Sequence, residues 1–571
     1  MDGVAYKNQE FDRLLHAWLG QFTGWLSPAS YSLALLDWLA HLAMSPAKQV
    51  DIAEKAGDKA LKLMQYFQNY CSHGGCKPCV KCRPEDKRFK SELWNEYPFN
   101  FYSQAFLLYE RLWNEASKGI GGVSKHHKSV VNFSGRQFLD IFSPSNFPFT
   151  NPEVIAATSK EGGLNFVRGF ENFIEDISHH INNLPPSGTE EYKVGVNLAI
   201  TPGKVVYRNH LIELIQYTPV TSQVYAEPIL IIPAWIMKYY ILDLSVHNSL
   251  VKYLVDQGHT VFMISWKNPS SEERDLGLED YINFGIMDAI KTINHIIPEK
   301  KIHTVGYCIG GTLLMIAAAA MAGKSDERLK SITLFAAQVD FKEAGELLLF
   351  TDESQVSYLE DIMWEKGYLD GAQMAGAFSM LRSIDLIWSR VISSYLLGKP
   401  NTLNDLMAWD YDTTRLPYKM HSEYLRSLFL NNDLVQGNFK VGHKKVALPD
   451  INIPIFAVST LTDHVAPWKS VYKIHLFTKT DLTFVLTSGG HNAGIVSEPG
   501  HKHRNFQMMT YKHGEKHINS ESWLEKAPHY KDSWWPEWEK WLGSHGSEEK
   551  INPPKFSHTI CDAPGTYVFE K

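Results

Sequence analysis

The apolar positions fall into two patterns. Up to residue 185 they recur at helical spacing, and no stretch alternates as a strand would. Ser27-Pro28 offers a helix start, and Leu33, Leu36, Leu39 and Leu42 keep the spacing, which predicts helix across 27–70. "FYSQAFLLYERLWNEA" (101–116) and "EGGLNFVRGFENFIEDI" (161–177) predict two more helices. The turn-rich "NNLPPSGTEEY" (182–192) marks a boundary, so residues 1–185 read as a helical N-terminal domain.

From 186 to 571 the character changes. Two short runs in 204–219 suit a hairpin. Then come short apolar runs separated by helical segments: "PILIIPAW" (228–235), "HTVFMISW" (259–266), "KIHTVGYC" (301–308), "SITLFAA" (331–337), "IPIFAVST" (453–460) and "LTFVLTSGG" (482–490). Strands that are apolar on both faces and alternate with helices predict a mostly parallel sheet covered on both sides, an α/β fold. The segment at about 341–448 is too long for one crossover and mostly helical in pattern. It reads as a cap inserted over the strands' C-terminal edge. "SWWPEWEKWLG" predicts a final helix, followed by a tail.

Composition narrows the function. Net charge is −7 and there is no long basic block, so nucleic-acid binding has no electrostatic support. The N-terminus lacks a basic start followed by an apolar run, and Tyr31–Met44 is too short to span a bilayer. Six cysteines in 571 residues argue against a disulfide framework and for a cytoplasmic protein. Four of them, Cys71, Cys76, Cys79 and Cys82, cluster in "CSHGGCKPCVKC", with His73 beside them. Such spacing suits a structural metal; a Gly-rich linker with incidental thiols is the plainer reading. "HKH" (501–503) reads as a solvated loop.

"TVGYCIGGT" (304–312) has the form of a nucleophile elbow with a thiol at its tip. Gly306 and Gly310 flank Cys308, a predicted strand precedes it, and a small-residue helix follows it. A helix N-terminus favours thiolate at Cys308. Asp463, in "LTDHVAPW", and His491, in "SGGHNAG", follow later strands in the order nucleophile, acid, histidine. His491 would take the thiol proton and Asp463 would orient it. The N–H of Ile309 is one expected oxyanion donor, and a second is expected near Trp235 or Ile236. An acyl-cysteine stays activated, so the thiol favours acyl transfer from a thioester to a hydroxyl over hydrolysis.

Further blocks carry a family resemblance: "KYYILDL" (238–244), "LVDQGHTVFMISWKNP" (254–269), "GYCIGGT" (306–312), "AWDYDTTRLP" (408–417), "YLRSLFLNN" (424–432), "DHVAPW" (463–468) and "SGGHNAGIV" (488–496). Together with "FSPSNFPFTNP" (142–152) they resemble the polyhydroxyalkanoate synthases over almost the whole chain. The resemblance implies a cap-bearing α/β-hydrolase fold and a polyester grown on Cys308 from 3-hydroxyacyl-CoA, with CoA as the leaving group and no required cofactor. It leaves Asp463 between orienter and base for the substrate 3-hydroxyl. It puts Arg382, Tyr424 and Asn432 at the CoA or acyl channel, and Trp235, on the loop after "PILIIP", is a further candidate substrate contact. The elbow is similar to the short-chain, class I type, which implies 3-hydroxybutyryl-CoA, a homodimer and a polyester granule surface as partner.

Three departures stand out. Ala234-Trp235 occupies a place where many members have Pro-Pro, Asp410 replaces a frequent Asn, and the four-cysteine loop is not part of the family pattern. The alternative enzyme readings are an acyl-CoA thioesterase and an intracellular polyester depolymerase. A granule-coating protein is the non-enzyme reading.

Overall fold

A computed structural model of the chain describes residues 2–73, 76–83, 86–182 and 184–571. Its centre is an eleven-stranded sheet. The strands are β1 (Gly203–Arg208), β2 (Ile212–Tyr217), β3 (Ile229–Ile232), β4 (Val261–Trp266), β5 (Ile302–Tyr307), β6 (Leu329–Phe335), β7 (Ile455–Thr460), β8 (Leu482–Thr487), β9 (Asn505–Tyr511), β10 (His529–Lys531) and β11 (Cys561–Asp562). Their order is β10-β9-β8-β7-β6-β5-β3-β4-β2-β1-β11.

The middle of the sheet, β4-β3-β5-β6-β7-β8, is parallel, and the flanking strands are antiparallel. Every residue of β3, β4, β5, β7 and β8 is buried. That is why those runs show no alternation: helices cover both faces and leave no polar side. One cover is the helix Trp535–His545. Trp534 and Trp538 pack edge-on to Phe335 at 5.0 and 5.1 Å, and the Trp538 indole N–H donates to Thr333 Oγ1 at 3.0 Å.

The strand order decides where a site can form. β3 pairs with β4 on one side and β5 on the other, so the winding reverses between β3 and β5. In open α/β sheets a crevice opens beyond the carboxyl ends of strands at such a reversal. The loop after β3 starts at Pro233, and the residue after β5 is Cys308.

By its contacts the chain forms two units. One comprises Met1–Trp25, Glu190–Met374 and Leu403–Lys571; the other comprises Leu26–Thr189 and Ala375–Thr402. The boundary at 189/190 lies four residues beyond the expected 185. Two segments also change sides relative to the expected division. The N-terminal helix α1 (Asp2–Thr23) packs with the sheet-bearing unit, where Arg13 and His16 reach Asp361 on the helix Glu353–Lys366. Residues 375–402 of the expected cap insertion belong to the helical unit instead.

The helical unit contains α2 (Pro28–Ala43), α3 (Pro46–His73), α4 (Phe99–Ala116), α5 (Lys125–Ile141), α6 (Pro152–Glu161) and α7 (Leu164–Ile181). The helix expected across 27–70 is divided at Met44–Ser45, just before Pro46 opens α3. A proline at the first helical position is tolerated because its missing N–H would have had no intrahelical partner. α7 binds 375–402 through polar side chains: Asn165 donates to Leu396 O at 2.8 Å, Asn172 donates to Ser394 O at 3.0 Å, and Asp176 accepts from Arg390 and Tyr395.

Candidate active site

β5 delivers Cys308 to a sharp turn. Cys308 has φ +53° and ψ −126°, a conformation that a side chain adopts only where the surroundings enforce it. Its N–H donates to Phe335 O on β6 at 2.8 Å, which pins the turn. A Cβ on Gly306 would lie 2.3 Å from Gly311 Cα, and one on Gly310 would lie 2.4 Å from Ile232 O. The turn therefore closes only with glycine at both places, as the sequence pattern requires. The helix Ile309–Ala322 starts at once, so the Ile309 N–H has no intrahelical acceptor.

His491 and Asp463 come from the loops after β8 and β7. His491 Nδ1 lies 2.7 Å from Asp463 Oδ2. Asp463 Oδ1 accepts from the N–H groups of Val465 and Ala466, both at 2.9 Å, and Thr460 Oγ1 lies 3.3 Å from Oδ2. The Asp463 side chain has 0% exposure. Burial pushes its carboxyl up, but His491 and the two amides outweigh that and hold it below the usual range. Burial pushes the His491 imidazole down. The charges of Asp463 and Cys308 overcome this and raise it well above its ordinary value. With Nδ1 committed to Asp463, the other ring nitrogen is left to serve the thiol. The arrangement is a nucleophile, a base held as a good proton acceptor, and an acid that orients the base.

The loop after β3 forms the opposite wall. Gly310 touches it through Ile232 O and Pro233 O, so the start of the elbow helix and this loop lie side by side. The loop is tied to the insertion, with Thr414 N donating to Ile236 O at 3.1 Å and Thr414 Oγ1 donating to Trp235 O.

Comparison with known proteins fits this geometry. The family model "alpha/beta hydrolase fold" matches residues 227–498. "Poly-beta-hydroxybutyrate polymerase (PhaC) N-terminus" matches 85–254, and "Poly-beta-hydroxybutyrate polymerase N terminal" matches 7–48. The chain is 39% identical over 529 residues to the poly(3-hydroxyalkanoate) polymerase of Methylorubrum extorquens, covering 92% of this chain and 87% of that one. It is 33% identical over 547 residues to the polymerase subunit PhaC of Cupriavidus necator, covering 94% and 91%. The chain belongs to the poly(3-hydroxyalkanoate) polymerase family. It is accordingly a polyester-forming acyltransferase.

The polymerase's other expected site residues take different places. Tyr424 starts the turn Tyr424–Leu430 and faces Cys308 electrostatically. Burial first, and Cys308 second, push its phenol up. Trp235 is only 2% exposed, and its indole packs against Trp266 and Tyr281 at 5.6 and 4.8 Å. It belongs to the core behind the loop. Asn432 accepts from Phe341 N at 3.0 Å and donates to Asp340 at 2.7 Å, so its amide fastens the turn after β6. Arg382 lies in the helical unit and pairs with Asp385.

The cysteine loop is also placed. Cys76 donates to Tyr66 O, Cys79 lies 3.2 Å from Gln104 Oε1, and burial pushes the Cys82 thiol up to about 11. The His73 side chain lies outside the described residues. Among the described residues no three metal-ligating side chains are gathered.

The sequence reading missed one polar chain. Tyr307 OH donates to Asn492 Oδ1 at 2.5 Å, and Asn492 Nδ2 donates to Asp410 Oδ1 at 3.0 Å. Each residue abuts one already singled out, but only the fold joins them.

Proposed function

We propose that the chain polymerises (R)-3-hydroxyacyl-CoA, with 3-hydroxybutyryl-CoA as monomer, and carries the growing polyester as a thioester on Cys308. The observation that carries this reading is the His491 imidazole hydrogen-bonded to Asp463 and electrostatically coupled to Cys308 at the tip of a strained elbow.

His491 takes the thiol proton, and the sulfur attacks the acyl carbonyl carbon of the CoA thioester. The C–S bond to CoA breaks, its electron pair leaves with the CoA sulfur, and His491 returns the proton to it. The Ile309 N–H faces the developing oxyanion, and the Ile236 N–H is the expected second donor. One thioester replaces another, so little bond energy is lost. In the extension step a 3-hydroxyl oxygen attacks the acyl-cysteine carbonyl carbon. Its proton passes to His491, and the C–S bond to Cys308 breaks with its electron pair on the Cys308 sulfur. That thiolate then attacks the lengthened CoA thioester, taking the chain back as CoA leaves with the proton from His491. Asp463 serves as orienter, since its oxygens are occupied and its side chain is closed to solvent.

Among the described residues no helix is long and apolar enough to cross a membrane. The proposed setting is the cytoplasm, with a homodimer working at the surface of its polyester granule.

The test is CoA release from (R)-3-hydroxybutyryl-CoA by wild type and Cys308→Ala, with the sedimented polymer weighed. Wild type should release CoA and form insoluble polyester, and Cys308→Ala should do neither. CoA release with only soluble 3-hydroxybutyrate would identify a thioesterase instead.

A further inference from the structure

Asp463 is not the only acid at the catalytic histidine. Asp410 ends the short helix Asp405–Asp410 in the insertion. The helix is fixed to the loop after β3: Trp409 Nε1 donates to Lys238 O at 2.8 Å, and Tyr240 OH donates to Asp412 at 2.8 Å. Asp410 is thus held in place, with the Asn492 amide on one oxygen. Asn492 follows His491 directly, and its other end accepts from Tyr307, the residue before Cys308. The Tyr307 and His491 rings lie 5.8 Å apart.

We propose that Asp410 is a positioning residue that acts through His491. Its carboxylate is a second negative partner for the imidazolium, and its bond to Asn492 holds the His491 loop against Tyr307. The inference rests on Cys308, His491 and Asp463 forming the acyl-transfer site.

Two observations support it beyond the contacts. Surrounding protein pushes Asp410 up to about 6, while Asn492 and the charge of His491 pull it back, so the two groups interact electrostatically. The titratable groups around them are Cys308 and Tyr307 on the elbow side, Asp463 after β7, and Tyr424, which faces Cys308. Of these, Asp463, Tyr307 and Tyr424 are committed to one protonation state near neutrality by their surroundings. Asn at this place would keep an acceptor for Asn492 and lose the charge. Asp410→Asn therefore isolates the charge, and Asn492→Ala isolates the tether.

The experiment follows the imidazole directly. The full chain is labelled at histidine Cε1, and the His491 resonance is assigned by its loss in His491→Gln. It is titrated by NMR in wild type, Asp410→Asn and Asn492→Ala, and CoA release is measured over the same pH range. In wild type the His491 resonance should show an added inflection near pH 6. Asp410→Asn should remove that inflection and lower the His491 midpoint by about 0.5 unit or more, as expected when a neighbouring negative charge is lost. Asn492→Ala should keep the inflection and slow CoA release several-fold. Superimposable His491 titrations in wild type and Asp410→Asn would overturn the proposal. So would a pH-independent loss of activity in Asp410→Asn with the His491 titration unmoved. If wild type releases no CoA, the reading of the acyl-transfer site fails, and the His491 titration still decides the role of Asp410.

Discussion

Two buried carboxylates, one in each unit, face a cation and respond in opposite ways. In the sheet-bearing unit Asp463 takes the Nδ1 hydrogen bond of His491, together with the N–H groups of Val465 and Ala466, and its carboxyl is held low. In the helical unit Asp140, on α5, meets Arg88 at 2.8 Å, and its side chain is 2% exposed. Yet burial pushes it up to about 6, with Arg88 pulling back and Glu110 pushing further. The difference is how many donors each acid commands. Arg88 also serves Glu110 at 2.9 Å and Asp86, which takes its backbone N–H, Nε and Nη2 and is held low, so Asp140 is left with Nη1 alone. A buried ion pair by itself therefore does not hold a carboxyl low; several donors aimed at one carboxylate, backbone amides among them, do.

The largest effect is expected from making Asp463 unable to hold its charge. Asp463→Asn keeps the size but presents an amide to His491 and favours the wrong tautomer. Loss of the orienting acid in a triad costs about 10³–10⁴-fold in turnover. The polymerase rate should fall by that order, while the denaturation midpoint moves little. A loss below tenfold would mean that His491 is oriented by something else, and the contrast with Asp140 would lose its functional side. Arg88→Met is the counterpart in the helical unit. It leaves three acids without their shared cation, and removing one partner of a buried pair costs about 3–5 kcal/mol. Urea unfolding should show a loss of that size. A loss under about 1 kcal/mol would show that water reaches the cluster.

What was legible in the sequence follows the same division. The parallel strands were readable because their runs are apolar on both faces. Cys308, Asp463 and His491 were readable because each sits in a loop just beyond one of those strands. Strands β9 and β10 lack that signal: they pair antiparallel at the sheet edge, and β9 mixes Asn505, Gln507 and Thr510 with apolar residues. β11 is two residues long and adds to the edge through Lys204 and Val205, too short to leave a pattern. α5 buries Val130, Val131 and Phe133 within a mostly polar run, so its spacing is weak. The placing of 375–402 is a tertiary choice made by Asn165, Asn172 and Asp176, and no local pattern announces it. Trp235 was singled out by its loop and Asn432 by its block, yet neither kind of placement separates a side chain facing substrate from one that holds the wall behind it. Asp410 shows the converse: a departure from the expected residue marked a place that only the fold connects to His491.

The smallest effect gives the finest test of the comparison. A carboxyl whose folded value is raised binds its proton more tightly in the folded than in the unfolded chain. Stability then falls as pH rises from the ordinary carboxylate value, about 3.9, through the folded value near 6. Asp140 should show this sign, and Asp463, held low, the opposite one: its contribution is present at neutral pH and lost as pH falls. Asp140→Asn keeps an oxygen that can accept from Arg88 and removes the titration. Relative to wild type, the variant should gain stability between about pH 4 and 6. The gain should level off above that range at on the order of 1–3 kcal/mol, bounded by the free energy of a shift of about two units. The measurement is the difference between the two unfolding free energies across that range. A flat difference would mean that Arg88 neutralises Asp140 as fully as His491 and the two amides neutralise Asp463. Sharing one guanidinium among three acids would then cost Asp140 nothing.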